Sequence, residues 1–198
     1  MRVLDLGCGS GTDLTRWGVT ASDEITGIDI DGSRLEIAQA RFPNGTYLQG
    51  AGERLPFPDN RFDHVISSVA LPYMDIPKAL AQIYRTLAPG GTVSLSLHLP
   101  SFTMSELLHN AMPRAVPTLY RLYVMANGLL FHCTGRTAKF LNGKTESFQT
   151  EHGMRAALRR VGFVDISFQR VSGRAGEMFL AEARKPGTAI PTVVNHAA

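Results

Sequence analysis

The chain has 198 residues, 44% of them hydrophobic, and its 20 Lys and Arg stand against 17 Asp and Glu for a net charge of +3. That is length for one α/β domain with a full core, without the basic stripe of a nucleic-acid binder or the run of about 18 apolar residues of a membrane span. Cys8 and Cys133 make neither a metal spacing nor a disulfide framework and read as packing residues, and no secretory leader precedes the first strand, which fits a cytoplasmic setting.

Residues 3–6 read as a short apolar strand that breaks into Gly7, Gly9 and Gly11, alternate positions at which backbone can approach a ligand where a Cβ would collide. Residues 13–17 can open a helix, so the turn is expected to present free N–H groups at a strand-to-helix junction, the pattern of a nucleotide-type site. The spacing is neither the full dinucleotide fingerprint nor a P-loop, since no Gly-Lys-Ser/Thr ending follows.

Residues 24–30 form a second buried strand, and Asp29 at its end lies about 20 residues past the glycines, the ribose position of open α/β folds. Leu35, Ile37, Ala38 and Phe42 predict an amphipathic helix stopped by Pro43-Asn44-Gly45. Residues 46–50 are a third strand and 62–68 a fourth, with the turn Pro58-Asp59-Asn60 between them. Leu80, Ile83 and Leu87 mark the next helix, followed by the turn Ala88-Pro89-Gly90-Gly91 and a fifth strand over 92–97. Residues 99–145 break the alternation and hold Leu107, Leu108, Met112, Leu119, Tyr120, Tyr123, Met125 and Leu130 at helical spacings, with Pro113 and Pro117 dividing them. This reads as a helical insertion inside one domain covering residues 1–184. A helix from Thr150 to about Val161 and strands over 164–171 and 177–183 follow. The segment from Lys185, with Pro186, Gly187 and Pro191, reads as a flexible tail.

Residues 3–12 resemble motif I of the class I S-adenosylmethionine-dependent methyltransferases, an apolar run followed by Asp-x-Gly-x-Gly-x-Gly. Leu55-Pro56-Phe57-Pro58-Asp59-Asn60-Arg61-Phe62-Asp63 resembles the Leu-Pro-Phe-x-Asp-x-x-Phe-Asp signature of their ubiquinone/menaquinone-biosynthesis-like small-molecule group, and the likeness runs nearly unbroken over residues 3–98. The resemblance implies a Rossmann-like, doubly wound, seven-stranded and mostly parallel sheet closed by a C-terminal antiparallel hairpin, with S-adenosylmethionine as cofactor. It places Gly7, Cys8, Gly9 and Gly11 along the methionine and ribose, Asp5 near the amino end, and Asp29 with its neighbour Ile30 at the ribose. It places Ala51-Gly52-Glu53 at the adenine. Ala51 stands where the family has an acid, so backbone and apolar stacking would recognise the ring. Ser67 and Ser68 would line the methionine end, while Tyr73 and His98 would face the acceptor, His98 taking a proton if the nucleophile is a phenol or enol. His64, at the opposite strand end, reads as structural, and His109, His132, His152 and His196 show no metal-ligand pattern.

The function so implied is in-line methyl transfer to a small acceptor, which the apolar insertion makes lipophilic or aromatic; the same apolar side chains would otherwise form a homodimer contact. The alternative is a non-catalytic, cofactor-binding member, because the first strand begins at once where family members carry N-terminal helices over the pocket. A nicotinamide dehydrogenase is disfavoured by the glycine spacing.

Overall fold

The computed structural model describes residues 1–20, 22–101, 115–140, 143, 145–173 and 176–187. Its strands β1 (Arg2–Leu6), β2 (Glu24–Asp29), β3 (Thr46–Gln49), β4 (Phe62–Ser68) and β5 (Leu87–His98) run parallel; β6 (Val164–Gly173) joins the sheet only through β7 (Gly176–Arg184), which is antiparallel to both β5 and β6. The order is β3-β2-β1-β4-β5-β7-β6, a Rossmann-like α/β sheet with the expected closing hairpin. Val3, Leu4 and Leu6 of β1, Ile28 of β2 and Val65 and Ile66 of β4 are buried, the near-continuous apolar reading of strands covered on both faces. The strand order reverses between β1 and β4, and the space beyond their carboxyl ends is where such sheets take ligands.

The helices are α1 (Gly32–Arg41), α2 (Ile76–Thr86), α3 (Ala115–Thr134) and α4 (Glu151–Val161). Asp31 caps α1 by accepting from the Ser33 and Arg34 N–H groups, Asp75 caps α2, and Thr150 caps α4 while Gly162, at φ 111°, ends it. Ile76, Leu80 and Ile83 of α2 with Met154 and Leu158 of α4 and Phe131 of α3 fill the larger core. Pro117 falls in the first turn of α3, where it breaks no internal hydrogen bond. Leu107, Leu108, His109, Met112, Pro113, Pro191 and His196 lie outside the described residues.

The helix expected to open after the glycines is a single 3₁₀ turn, Leu14–Trp17. Gly18, at φ 70°, closes it with N–H bonds back to Leu14 and Thr15, and Val19 and Thr20, poor helix formers, lead on to β2. The smaller core on that face is correspondingly slight: Val3, Leu14, Val19, Ile25 and Ile66, edged by Trp17 and Phe42. The fifth strand starts earlier than its turn sequence suggests, because Gly90 N–H donates to the Lys185 carbonyl (3.1 Å) and Lys185 N–H to that of Gly91 (2.9 Å).

Lys185 is therefore fixed where a loose tail was expected to begin. Its ammonium donates to the Asn60 amide oxygen (2.9 Å) and to the carbonyls of Tyr84 (2.9 Å) and Leu87 (2.7 Å), pinning the end of β7 to the end of α2. Lys185→Met, which keeps the stem and removes the donors, should lower the stability to urea by about 1–3 kcal/mol. An unchanged midpoint would mean that these bonds contribute nothing net.

Candidate active site

A cleft of about 600 Å³ opens at the carboxyl ends of β1, β2 and β4. Leu6, Gly7 and Ile28 form its floor; Asp29, Ile30, Asp31 and Arg34 form one wall, Gly50, Gly52 and Glu53 a second, and Ser68, Val69, Ala70, Tyr73 and Met74 the third.

Of the three motif glycines only Gly7 lines the cleft. At φ 72°, a Cβ on it would stand 2.2 Å from the Ala70 Cβ, so glycine lets the β1 turn press directly against the loop after β4. Gly9 and Gly11 also have left-handed backbone (φ 49° and 70°), but their missing Cβ atoms would meet only Arg34, Ala38 or Phe42 at 3.5 Å or more. The N–H groups expected to be free are bonded internally: Gly7 and Cys8 donate to the Ile28 carbonyl (2.8 and 3.2 Å), Gly11 to that of Cys8 (2.8 Å), and Gly9 to the Asp29 carboxylate (2.8 Å). The ligand-facing acceptor is Asp29 itself. One of its oxygens takes the Gly9 N–H and the other the Asp31 N–H (2.9 Å), which fixes the carboxylate and leaves lone pairs on both oxygens. Beside it, Ile30 is 72% exposed, a large apolar side chain held at the cleft with nothing over it among the described residues.

Ala51 is exposed and does not line the cleft, whereas Gly52 and Glu53 do. A Cβ at Gly52 would come 2.6 Å from the Met74 sulfur, so Met74 closes over that wall. Glu53 accepts the Asp75 N–H (2.9 Å) ahead of α2, binding the wall to the helix start. The two serines of β4 part company: Ser68 lines the cleft, while Ser67 is buried and donates to the Leu6 carbonyl (2.8 Å), a link between strands. His98 ends β5 opposite Met178 and lies outside the cleft lining, and His64 bonds the Thr92 hydroxyl (2.7 Å) at the far end of β4. Tyr73 stands at the rim, 65% exposed. It lies within electrostatic range of Tyr120 on α3, whose hydroxyl donates to Glu146 (2.6 Å).

Sequence reasoning did not single out Val69, Arg34 or Met74. Val69 adopts φ 56°, a left-handed conformation that a β-branched residue takes only under constraint, and its N–H is held by the Ser96 carbonyl (2.9 Å). No local signal marks it. Arg34 was legible only as a first-turn residue of α1, where it meets its cap Asp31 at 3.4 Å.

Asp5 and Cys8 lie beneath the site, buried and outside its lining. Burial, and then the charges of Asp13 and Asp29, push the Asp5 carboxyl up to about 7; burial likewise pushes the Cys8 thiol up, so it is not a thiolate. Because the folded chain keeps a proton on Asp5 that the unfolded chain has released, folding stability falls as pH rises from about 4 to about 7 and the loss is complete above that. Asp5→Asn should match the natural chain near pH 4 and exceed it by up to roughly 4 kcal/mol above pH 7, measured by denaturant unfolding across pH. A pH-independent difference would place the proton elsewhere.

Residues 3–91 match the family model described as a methyltransferase domain. The malonyl-[acyl-carrier protein] O-methyltransferase of Pectobacterium atrosepticum is 33% identical over 108 residues, 54% of this chain and 42% of that protein. The demethylmenaquinone methyltransferase of Staphylococcus aureus is 28% identical over 195 residues, 94% of this chain and 78% of that protein. A crystal structure of an S-adenosylmethionine-dependent methyltransferase from Methanosarcina mazei superposes with a TM-score of 0.61 over 94% of this chain and 92% of that one, at 21% identity, a likeness of fold. The domain match over residues 3–91, the two methyltransferase relatives and the fold likeness agree in direction: the chain is similar to S-adenosylmethionine-dependent methyltransferases.

Proposed function

We propose that the cleft binds S-adenosylmethionine and that the enzyme moves its methyl group to a small acceptor of lipophilic or aromatic character. The observation that carries this reading is the Asp29 carboxylate, held by two backbone N–H groups at the wall of a cleft whose volume lies within the roughly 300–1,000 Å³ of small-molecule sites. A carboxylate so fixed accepts two vicinal hydroxyls, one on each oxygen, which is what a ribose offers. Ile30 supplies an apolar surface for a flat base, with Gly52 and Met74 on the other two walls. Gly7, Ser68 and Val69 are left for the methionine end; the buried Asp5 beneath it favours a positively charged ligand only in its ionised form, above about pH 7.

When bound, the cofactor supplies an electrophilic methyl group on a positively charged sulfur. The residues of this chain orient that group and keep water away from it. No side chain would have to protonate a leaving group, because a sulfonium would part as a neutral thioether. Tyr73 is the proposed acceptor-side contact, and His98 is given no part in the transfer because it does not line the cleft. Tyr120 and Tyr123 of α3 pack with Phe140, tilted or edge-on with ring centroids 4.7–5.7 Å apart, and Tyr120 lies within electrostatic range of Tyr73; this aromatic cluster favours an acceptor able to bury hydrocarbon.

Calorimetric titration with S-adenosylmethionine tests the cofactor site. Ile30→Glu changes an exposed residue, so it should fold normally and weaken binding by about tenfold, the worth of one apolar stacking surface. Asp29→Ala should cost on the order of 2–4 kcal/mol of cofactor binding and also destabilise the fold, because the Gly9 and Asp31 N–H groups lose their acceptor. Normal affinity in both variants would overturn the assignment.

A methyl-transfer panel of phenols, quinols and amines tests the acceptor. Tyr120→Ala and Met125→Ala should weaken lipophilic acceptors and leave cofactor affinity unchanged. Preference for small charged acceptors contradicts the reading, and cofactor binding with no turnover on any member would favour a non-catalytic role.

A further inference from the structure

Helix α3 is apolar on two sides. Val124, Asn127, Gly128 and Phe131 are buried, with the Phe148 ring seated against Gly128, whereas Leu119, Leu122, Leu129 and Leu130 are 54%, 62%, 59% and 39% exposed. With exposed Ala126 between them, the leucines fall at i, i+3, i+10 and i+11, one outward face about three turns long. A helix apolar on its outer face as well as its inner one is expected to be covered on both.

Charge indicates what covers it. From residue 115 to 161 the sequence holds seven Lys and Arg against two Asp and Glu, while the rest of the chain holds 13 against 15, so this quarter of the protein carries all of the net positive charge. Arg136 lies just past the end of α3. Lys139 is held alongside the middle of the helix, because its neighbour Ala138 donates its N–H to Asn127 (2.7 Å) and accepts from the Tyr123 hydroxyl (2.7 Å). Both are exposed and form no ion pair among the described residues.

We propose that α3 lies flat on an anionic lipid surface, its leucines at the boundary of acyl chains and headgroups and Arg136 and Lys139 among the headgroups. No helix among the described residues is long and apolar enough to cross a membrane, so the association is a resting one. A second copy of the chain fits less well. A symmetric contact would set two basic regions against each other, and four part-exposed leucines offer roughly a few hundred Å² where a stable dimer buries about 800 Å² per partner. The same helix carries Tyr120, within electrostatic range of Tyr73 at the cleft rim, so lipid contact brings the site toward the phase that holds a lipophilic acceptor. That last link rests on the proposed function; the lipid contact does not.

The test is co-sedimentation of the full chain with vesicles of phosphatidylcholine containing about 30% phosphatidylglycerol, against phosphatidylcholine alone. The chain should bind the anionic vesicles at least about tenfold more tightly, and lose that preference near 0.5 M salt. Leu122→Asp with Leu129→Asp should abolish sedimentation, and Arg136→Glu with Lys139→Glu should remove the preference for anionic lipid. All four positions are exposed, so thermal melting and calorimetric S-adenosylmethionine binding, done without vesicles, should stay as in the natural chain. Absence of binding to the anionic vesicles overturns the proposal, as do leucine variants that bind undiminished, or a dimer by light scattering that Leu122→Asp dissociates in a chain that ignores vesicles.

Discussion

The Asp29 carboxylate ties together three pieces of chain at one point: the glycine turn through Gly9, the end of β2, and the start of α1 through Asp31. Both bonds run from backbone N–H groups to an ionised acceptor, each worth roughly 1.5–3 kcal/mol. The Ile28 carbonyl, one residue earlier, takes the Gly7 and Cys8 N–H groups, so the whole turn after β1 is folded onto the end of β2. This explains how a turn with three left-handed glycines keeps one shape, and why the acid at the strand end, not the amides of the turn, faces the cleft.

Unfavourable features collect along the same edge of the sheet. Asp5 is buried near two other carboxylates, Val69 is held left-handed at a cost of roughly 1–3 kcal/mol, and Gly7 and Ala70 are in a contact that admits no side chain. The larger core, on the side of α2 and α4, offsets these costs with Leu80, Ile83, Met154, Leu158 and Phe179 fully buried. Among the described residues the opposite face has a 3₁₀ turn above β1 and a correspondingly small cluster. Strain borne at a cleft and compensated in a distant core is the distribution expected where geometry serves a ligand.

Most of the sheet was legible because its central strands are apolar on both faces and end in recognisable punctuation: glycines after β1, Asp29 after β2, a glycine pair at the start of β5. What was not legible depends on partners remote in sequence. Lys185 looked loose because its acceptors Asn60, Tyr84 and Leu87 lie some hundred residues back along the chain. The N–H groups of the glycine turn looked free because the Ile28 carbonyl becomes their acceptor only when β1 and β2 pair. Ser67 and Ser68 could not be told apart without knowing which face of β4 meets the cleft, since neighbours on a strand point opposite ways. Ala51 shows the limit of carrying a motif across. The sequence lacks an acid there, and in the folded chain that position is exposed while Gly52 and Glu53 line the wall.

The most direct test of the account is a crystal structure of the chain with S-adenosylhomocysteine. The account predicts electron density in the cleft between Ile30 and Met74, with both ribose hydroxyls in hydrogen-bond reach of the two Asp29 oxygens and the Gly9 and Asp31 N–H bonds retained. Density seated elsewhere on the molecule, or a ribose turned away from Asp29, would contradict it.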